Sequence, residues 1–199
     1  MRVFVYSLVV AILVCFLYNF VDREVATYFY NLEDSSIRSF FKYITRFGNS
    51  EWFLIPSFLL YFYFRAIKED MYTRASLYIF VTNIVAGVAV WLFKVPFGRM
   101  RPALYLQDNL YGFDSFKWFE FGSKYASFPS AHTTTVISSV VALSFIWPMW
   151  KKLFISLGVL IAFSRIVITE HYVSDVLFAS FLGYMIARLL YQYYFKNEI

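Results

Sequence analysis

The sequence predicts an all-α polytopic membrane protein, built as a single membrane-embedded domain over residues 1–199. Of its 199 residues, 60% are hydrophobic and 24% are aromatic, a composition typical of membrane-embedded helices and not of soluble domains. Apolar stretches near the length that crosses a bilayer, about 17–25 residues, recur along the chain. We therefore expect six transmembrane helices, with short interfacial helices between the first two.

The six predicted spans are separated by polar or turn-rich connections. They are Val3 to Phe20, Glu51 to Arg65, Arg74 to Phe93, Ala131 to Trp150, Leu153 to Thr169 and Tyr172 to Tyr193. The first follows a basic residue, as a signal peptide does, but no small-residue cleavage site comes after it. We expect an uncleaved helix there.

The mixed segment 21–50 carries helical periodicity on both sides of a capping signal at residues 34–36. Two short helices along the membrane surface fit this pattern, with Arg38, Lys42 and Arg46 forming a basic stripe toward lipid phosphates. Packing of the same helices against the bundle explains the pattern equally well.

The formal charge of +5 needs no nucleic-acid partner, because anionic lipid headgroups or an anionic substrate account for it. Cys15 is the only cysteine, which excludes intrachain disulfides and a cysteine-based metal site. With two histidines in all, a histidine-rich metal site is not expected either. The sequence implies no cofactor and no metal, and it leaves the oligomeric state open.

The connection 65–74, the loop at 151–152 and the two termini carry basic residues that six spans place on one side of the membrane. The positive-inside rule makes that side cytoplasmic. The totals of basic residues do not favour this orientation by themselves. It holds if the basic residues of the opposite side belong to a site.

The connection 94–130 has no sustained helical period, and an ordered loop of this length is usually functional. Lys94, Arg99 and Arg101 lie where the third span ends. Ser130 begins the fourth span, just before His132, as a natural N-cap that points free N–H groups and the positive dipole end at an anion.

Between the fifth and sixth spans lie Arg165, His171 and Asp175. A charge in the hydrocarbon layer costs about 2.5–3.5 kcal/mol, so charged residues at such positions usually have a structural or functional role. If this stretch opens a helix, His171 and Asp175 share one face, and the carboxylate can orient the imidazole. Taken alone, the stretch fits a packing histidine and a snorkelling arginine better.

Under the predicted topology these charges all gather at one membrane face. Cations, a helix N-terminus and two imidazoles suit phosphoryl transfer, in which catalysis is mostly positioning and electrostatic stabilisation. Three motifs occur in order: K-x6-R-P from Lys94 to Pro102, P-S-x-H from Pro129 to His132, and S-R-x5-H-x3-D from Ser164 to Asp175. With these motifs the chain resembles the type 2 phosphatidic acid phosphatase (PAP2) superfamily and looks like one of its small bacterial integral-membrane members.

The resemblance implies a role for each motif residue. His171 would be the nucleophile that becomes a phosphohistidine, Asp175 would accept its ring N–H, and His132 would be the general acid and later the base. The phosphate would be bound by Lys94, Arg101, Arg165, Ser130 and the backbone N–H of Ala131. The resemblance implies no metal, and together with the predicted topology it gives a site at the periplasmic or outer face of the bacterial cytoplasmic membrane.

Ala131 stands where the family usually has glycine, and we expect negative φ in the first turn of a helix, where a methyl group costs little. Arg99 lies inside the first motif without being required by it, and we interpret it as a lipid-headgroup contact.

The implied function is hydrolysis of a phosphomonoester or diphosphate of a membrane lipid. Candidate substrates are phosphatidylglycerophosphate, polyprenyl diphosphate, phosphatidic acid and lipid A phosphates. A lipid-to-lipid phosphotransferase with the same site and a non-catalytic lipid-phosphate binder remain alternatives. Loop aromatics are candidates for a lipid-facing lip, although ordinary interfacial belt residues explain them as well: Tyr105, Tyr111, Phe113, Phe116, Trp118, Phe119 and Phe121.

Overall fold

The computed structural model describes residues 2–108, 115–120 and 122–196, and within these ranges it is helical, with one isolated antiparallel pairing between Arg99 and Phe116 and no strand. The all-α prediction is confirmed. The helices are α1 (Arg2–Phe20), α2 (Asp22–Tyr30), α3 (Ser36–Ile44), α4 (Glu51–Ala66), α5 (Asp70–Phe97), α6 (Pro102–Asp108), α7 (Ala131–Ile146), α8 (Lys151–Val167) and α9 (Val173–Tyr194).

Helix α7 forms the centre of the bundle and packs against α5, α8 and α9. Its apolar residues, such as Val136 and Val140, are buried, and so are its many hydroxyl groups. The hydroxyls of Ser138 and Ser144 donate to carbonyl oxygens one turn back in the same helix, at 3.0 and 2.6 Å. Small residues that satisfy their own polar groups let neighbouring helices approach closely, as membrane bundles require.

Helix α9 packs closely against the backbone of α7 at Gly183. A Cβ atom there would lie 2.7 Å from the carbonyl oxygen of Thr134 and 3.0 Å from the amide nitrogen of Ser138. Both are backbone atoms, which can move away only if the helix itself shifts. We expect Gly183→Ala to destabilise the fold by about 1–3 kcal/mol through overpacking, measured as a lower melting temperature in detergent. Gly87→Ala is the matched control, since a Cβ on Gly87 meets nothing within 4 Å. Equal melting temperatures of the two variants would contradict this packing.

Three helical segments are long and apolar enough to cross a membrane by length and composition: Val3–Phe20, Asp70–Phe97 and Val173–Tyr194. The other predicted spans form helices of 16, 16 and 17 residues, namely α4, α7 and α8. At 1.5 Å per residue these are about 24–26 Å long, short of the roughly 30 Å hydrocarbon core. Length and composition therefore support three spans and do not establish the predicted count of six.

The segment between α1 and α4 contains the two short helices that the sequence predicts. Ser35 caps α3 and accepts the amide N–H of Arg38 at 3.2 Å. The basic stripe, however, is wrong for Arg38, which is buried and donates to the carbonyl oxygen of Ile168 at 3.2 Å and to the hydroxyl of Thr169 at 3.0 Å. Arg38 thus satisfies the carboxyl end of α8, where free carbonyls and the negative dipole end favour a cation.

The connection 94–130 is more helical than its composition predicted. Helix α5 continues through Pro96 to Phe97, and Pro102 opens α6, a position where the missing N–H of proline costs nothing. Gly98 ends α5 with φ of 49°, and a Cβ there would lie 1.6 Å from the carbonyl oxygen of Lys117, so only glycine fits.

The predicted aromatic lip is supported in part. Trp118 and Phe119 are exposed, whereas Tyr105 is buried in a small core beside α6 and does not face lipid. Tyr111, Phe113 and Phe121 lie outside the described residues.

Candidate active site

The three motif regions meet at one end of the bundle. Helix α5 brings Lys94 to this end as it finishes, α8 brings Arg165 as it finishes, and α7 and α9 both begin here. The segment before α7 ties them together, because Lys94 Nζ donates to the carbonyl oxygen of Ala126 at 2.7 Å and His171 Nδ1 lies 2.7 Å from that of Ser127.

The hydrogen bond to Ser127 fixes the tautomer of His171. A backbone carbonyl only accepts, so Nδ1 carries the ring proton and Nε2 presents a lone pair. His171 is 3% exposed. Burial is the main reason why the pKa of His171 is lowered to about 3, and the charges of Arg165 and Lys94 lower it too. The imidazole is therefore neutral at physiological pH, which is the form that a nucleophile needs.

Asp175 is held by hydrogen bonds on both carboxylate oxygens. It is the third residue of α9, and its Oδ2 accepts the amide N–H of Tyr172 at 2.9 Å and the hydroxyl of Ser127 at 2.6 Å. The distance from His171 Nδ1 to Oδ2 is 3.8 Å, beyond hydrogen-bond length. The implied direct bond from the ring N–H to Asp175 is therefore not formed. Ser127 stands between the two and bonds to both, while the carboxylate acts on the ring by its charge.

The second histidine, His132, is oriented by a residue outside the motifs. Its Nε2 lies 2.8 Å from Oδ1 of Asn49, whose amide nitrogen donates to Glu51 Oε1 at 2.9 Å. Because the carboxylate of Glu51 takes the amide N–H, the amide oxygen faces His132, and Nε2 is the protonated nitrogen. Gly48 allows this approach, since a Cβ there would lie 3.3 Å from the ring and 2.9 Å from Ile161.

Lys94, Arg101 and Arg165 form a cationic pocket. Their charges act on one another, and the charges of Arg165 and Lys94 act on both His132 and His171, so the two imidazoles lie in one electrostatic field. Arg165 is buried, and its Nε has no hydrogen-bond partner among the described residues. An anion in this pocket would relieve the mutual repulsion of the three cations.

Glu170 interacts with the two arginines of the pocket. Its Oε2 contacts Arg101 Nη1 directly and lies 3.7 Å from Arg165 Nη2. The turn that carries Glu170 begins at Thr169, a β-branched residue with φ of 56°, and backbone strain of this kind is typical of functional sites. Sequence reasoning missed Glu170, because the third motif leaves its position unspecified.

Glu170→Gln is expected to strengthen inhibition by inorganic phosphate up to about fivefold, since an exposed ion pair contributes at most about 1 kcal/mol. The reason is competition, because carboxylate and phosphate would use the same guanidinium groups. The measurement is the inhibition constant of phosphate, with Glu69→Gln, which is exposed at the opposite end of α5, as the control. An unchanged constant in Glu170→Gln would separate Glu170 from the phosphate site.

The start of α7 has the predicted geometry. Ser130 is the N-cap, with its side chain accepting from the amide of Thr133, and Ala131 is the first helical residue. Ala131 is not among the described residues with positive φ, as expected. Alanine therefore replaces glycine here without backbone strain.

Arg99 is not a headgroup contact, because it is 2% exposed. Its guanidinium lies between two buried carboxylates: Nη2 is 2.8 Å from Asp22 Oδ2, and Nη1 is 2.5 Å from Asp175 Oδ1. Burial alone would lower the pKa of Arg99, but the two carboxylates raise it above its usual value. No sequence signal pointed to Asp22, which lies far from all three motifs.

In the part of the chain that the structure describes, no three His, Cys, Asp or Glu side chains lie together as a metal site would need. The pocket instead offers cationic side chains, one neutral imidazole with a free lone pair and another with a proton. Cations and imidazoles grouped at one end of a helical bundle are chemically suited to an anionic ligand.

The comparisons with known proteins agree with this interpretation. The family model of the PAP2 superfamily matches residues 73–199, and the chain belongs to this superfamily. Two curated relatives carry the name lipid A 1-phosphatase. The one from Rhizobium johnstonii is 33% identical over 145 residues, covering 67% of this chain and 58% of the relative, and the one from Rhizobium etli is 32% identical, covering 67% and 61%. The chain thus spans about three fifths of the length of these relatives.

Two crystal structures share the fold. A transmembrane PAP2 type phosphatidylglycerolphosphate phosphatase from Bacillus subtilis aligns with a TM-score of 0.69 at 19% identity, covering 97% of this chain and 94% of the other. Aquifex aeolicus LpxE aligns with a TM-score of 0.52 at 20% identity, covering 84% and 94%. At these identities the likeness concerns the fold.

Proposed function

We propose that this protein is a lipid phosphatase of the membrane, which hydrolyses a phosphomonoester or diphosphate of a lipid through a phosphohistidine. The observation that carries the proposal is the arrangement of His171. Its Nδ1–H donates to the carbonyl oxygen of Ser127, so Nε2 presents its lone pair, and the charges of Lys94 and Arg165 act on the ring. A neutral imidazole beside a cationic pocket is suited to attack on phosphorus.

In the first step, Nε2 of His171 attacks phosphorus, an N–P bond forms and the bond from phosphorus to the lipid oxygen breaks. Lys94, Arg101 and Arg165 hold the equatorial oxygens, whose charge they stabilise in the transition state. The leaving oxygen takes the Nε2 proton of His132 in its imidazolium form, which leaves His132 as a neutral imidazole; Asn49 holds this N–H before the reaction.

In the second step, water attacks the phosphohistidine and gives its proton to His132, the N–P bond breaks, and inorganic phosphate leaves. Ser130 and the backbone N–H of Ala131 lie at the amino end of α7, where the helix dipole favours an anion. Nδ1 keeps its proton and donates it to the carbonyl oxygen of Ser127 throughout, so the ring returns to the same tautomer.

The proposed topology has six spans: α1, α4, α5, α7, α8 and α9. The site contacts described above come from the end of one span and the start of the next in turn, beginning with the end of α1 and the start of α4. This alternation of ends and starts is expected of a chain that crosses the membrane six times. The basic connection 65–74 and the loop at 151–152 lie at the other ends, so the positive-inside rule favours a site at the periplasmic or outer face of the cytoplasmic membrane.

Lipid A carrying a 1-phosphate is the first substrate to test, because both curated relatives are named for it. Phosphatidylglycerophosphate, polyprenyl diphosphate and phosphatidic acid complete the panel. Purified protein is incubated with each lipid in mixed micelles, and released phosphate and product masses are measured. We expect turnover of at least one lipid, undiminished by EDTA since cationic side chains supply the electrostatic stabilisation.

An acceptor lipid in the same assay separates hydrolysis from phosphotransfer. A phosphorylated acceptor in place of free phosphate would replace the hydrolase with a lipid-to-lipid phosphotransferase. Binding of the lipids without turnover of any would leave a non-catalytic lipid-phosphate binder.

A further inference from the structure

Behind the proposed nucleophile lies a buried charge triad, formed by Asp22, Arg99 and Asp175. Arg99 is 2% exposed and both carboxylates are 0% exposed. Arg99 donates to Asp22 at 2.8 Å and to Asp175 at 2.5 Å, on different guanidinium nitrogens. Asp22 lies outside all three motifs, and Arg99 occupies a position that the first motif leaves unspecified.

Asp22 also binds the first turn of the helix that carries Asp175. Its Oδ1 accepts the amide N–H of Ser174 at 2.9 Å, and its Oδ2 accepts the Ser174 hydroxyl. The ring of Tyr172 covers the guanidinium of Arg99, with 3.9 Å between the Cζ atom and the ring centroid. Asp22, from α2, therefore binds Ser174, which lies between His171 and Asp175 in the sequence.

The carboxylate of Asp22 changes the net charge of the triad. Burial raises the pKa of Asp22, and the charge of Arg99 opposes that rise. With both carboxylates ionised the triad has a net charge of −1, whereas Arg99 paired with Asp175 alone would be neutral. When Nε2 of His171 bonds to phosphorus while Nδ1 keeps its proton, the ring becomes positive. Asp175 Oδ2, 3.8 Å from Nδ1, is the anion that faces this charge, and in a buried site the net negative charge behind it stabilises the ring strongly.

We propose that Asp22 is a positioning residue of the phosphoryl transfer, acting through Arg99 and Asp175 to keep net negative charge behind the His171 ring. The inference rests on the proposed function. A purely structural triad makes a different prediction, because loss of Asp22 would then lower stability without changing the rate of each folded molecule.

The test is Asp22→Asn, which preserves size and can still accept from Ser174 but removes the charge. We expect kcat to fall about 10- to 100-fold, below the roughly 100- to 1000-fold loss seen for groups that touch the reacting oxygen. KM should stay within about twofold, because the phosphate pocket is untouched. The rate of phosphohistidine formation in a single turnover should fall as kcat does. Glu24→Gln, an exposed acid on the same helix, is the control and should match the wild type.

The double variant Asp22→Asn/Arg99→Gln separates charge from packing. It leaves Asp175 as the sole charge of the network, which restores −1, so it should turn over faster than Asp22→Asn although it lacks more native contacts. A double variant slower than the single one would overturn the proposal.

Rates are normalised to monodisperse protein with a measured melting temperature. Wild-type kcat in folded Asp22→Asn would overturn the inference alone, whereas a wild type without turnover on any lipid would overturn the proposed function. If Asp22→Asn does not fold, the double variant decides: kcat within about tenfold of the wild type supports the inference, and a greater loss refutes it.

Discussion

His171→Asn is expected to abolish phosphate release, with turnover lower by about 10³-fold or more, the loss typical of removing a covalent nucleophile. The asparagine amide nitrogen takes the place of Nδ1 and can still donate to the carbonyl oxygen of Ser127, so the local structure is preserved. What disappears is Nε2, the atom that would bond to phosphorus. The measurement is phosphate release from the best lipid of the panel.

The same variant tests the covalent intermediate. Acid-labile phosphate should be trapped on the wild type in a rapid quench and should be absent from His171→Asn. His171→Ala loses both the nucleophile and the bond to Ser127, so it should be equally inactive and less stable. Turnover of His171→Asn near the wild-type rate would end the phosphohistidine mechanism.

Arg165→Lys is the second substitution with a large expected effect, a loss of about 10²- to 10³-fold in kcat/KM. Lysine keeps the positive charge but loses the planar fork and the Nε donor, which has no partner among the described residues and which we assign to a phosphate oxygen. It also loses the bond from Nη1 to the hydroxyl of Thr45, at 2.8 Å, which holds the side chain in place. The measurement is kcat and KM for the same lipid.

Arg65→Lys provides the control for an arginine-to-lysine change, because Arg65 is exposed at the end of α4 away from the pocket and bonds to Tyr61. It should leave kcat/KM unchanged. If Arg165→Lys were as active as Arg65→Lys, positive charge alone would suffice at this position, and the forked contact would be excluded.

The sequence predicted the parts of the site that local chemistry determines. Ser130 reads as an N-cap because a hydroxyl before an apolar helix satisfies a free amide, and the structure has that cap. Ala131 was expected to have an ordinary helical backbone for the same reason. The end of α8 near Arg165 and the start of α9 near His171 followed from where apolar runs stop, within a few residues.

The sequence could not predict partners that depend on the packing of distant segments. Asn49 reaches His132 from 83 residues away, and the hydroxyl of Ser127 reaches Asp175 from 48 residues away. Nothing in the local pattern of either residue marks it. Arg38 is another residue whose partner the sequence could not predict. Its spacing fitted a lipid-facing stripe, but in the folded protein it binds the carbonyl end of α8.

Length and composition alone do not confirm the six predicted spans, because α4, α7 and α8 have only 16 or 17 residues. Helix α7 ends at Ile146, just before Trp147 and Pro148, and is therefore shorter than the predicted span Ala131 to Trp150, whereas α4 and α8 are at least as long as their predicted spans. A helix surrounded by other helices, as α7 is, does not have to match the bilayer by itself.

The buried triad has a consequence for how this chain is made. Asp22 is separated from Arg99 by 77 residues, and Arg99 from Asp175 by 76, so the three charges leave the ribosome in widely spaced order. Until α9 is synthesised, Arg99 has one of its two carboxylates and Ser174 is missing from the network. The charge network is therefore complete only when α9 is in place, and a nascent chain truncated before Asp175 holds a guanidinium that lacks its second anion.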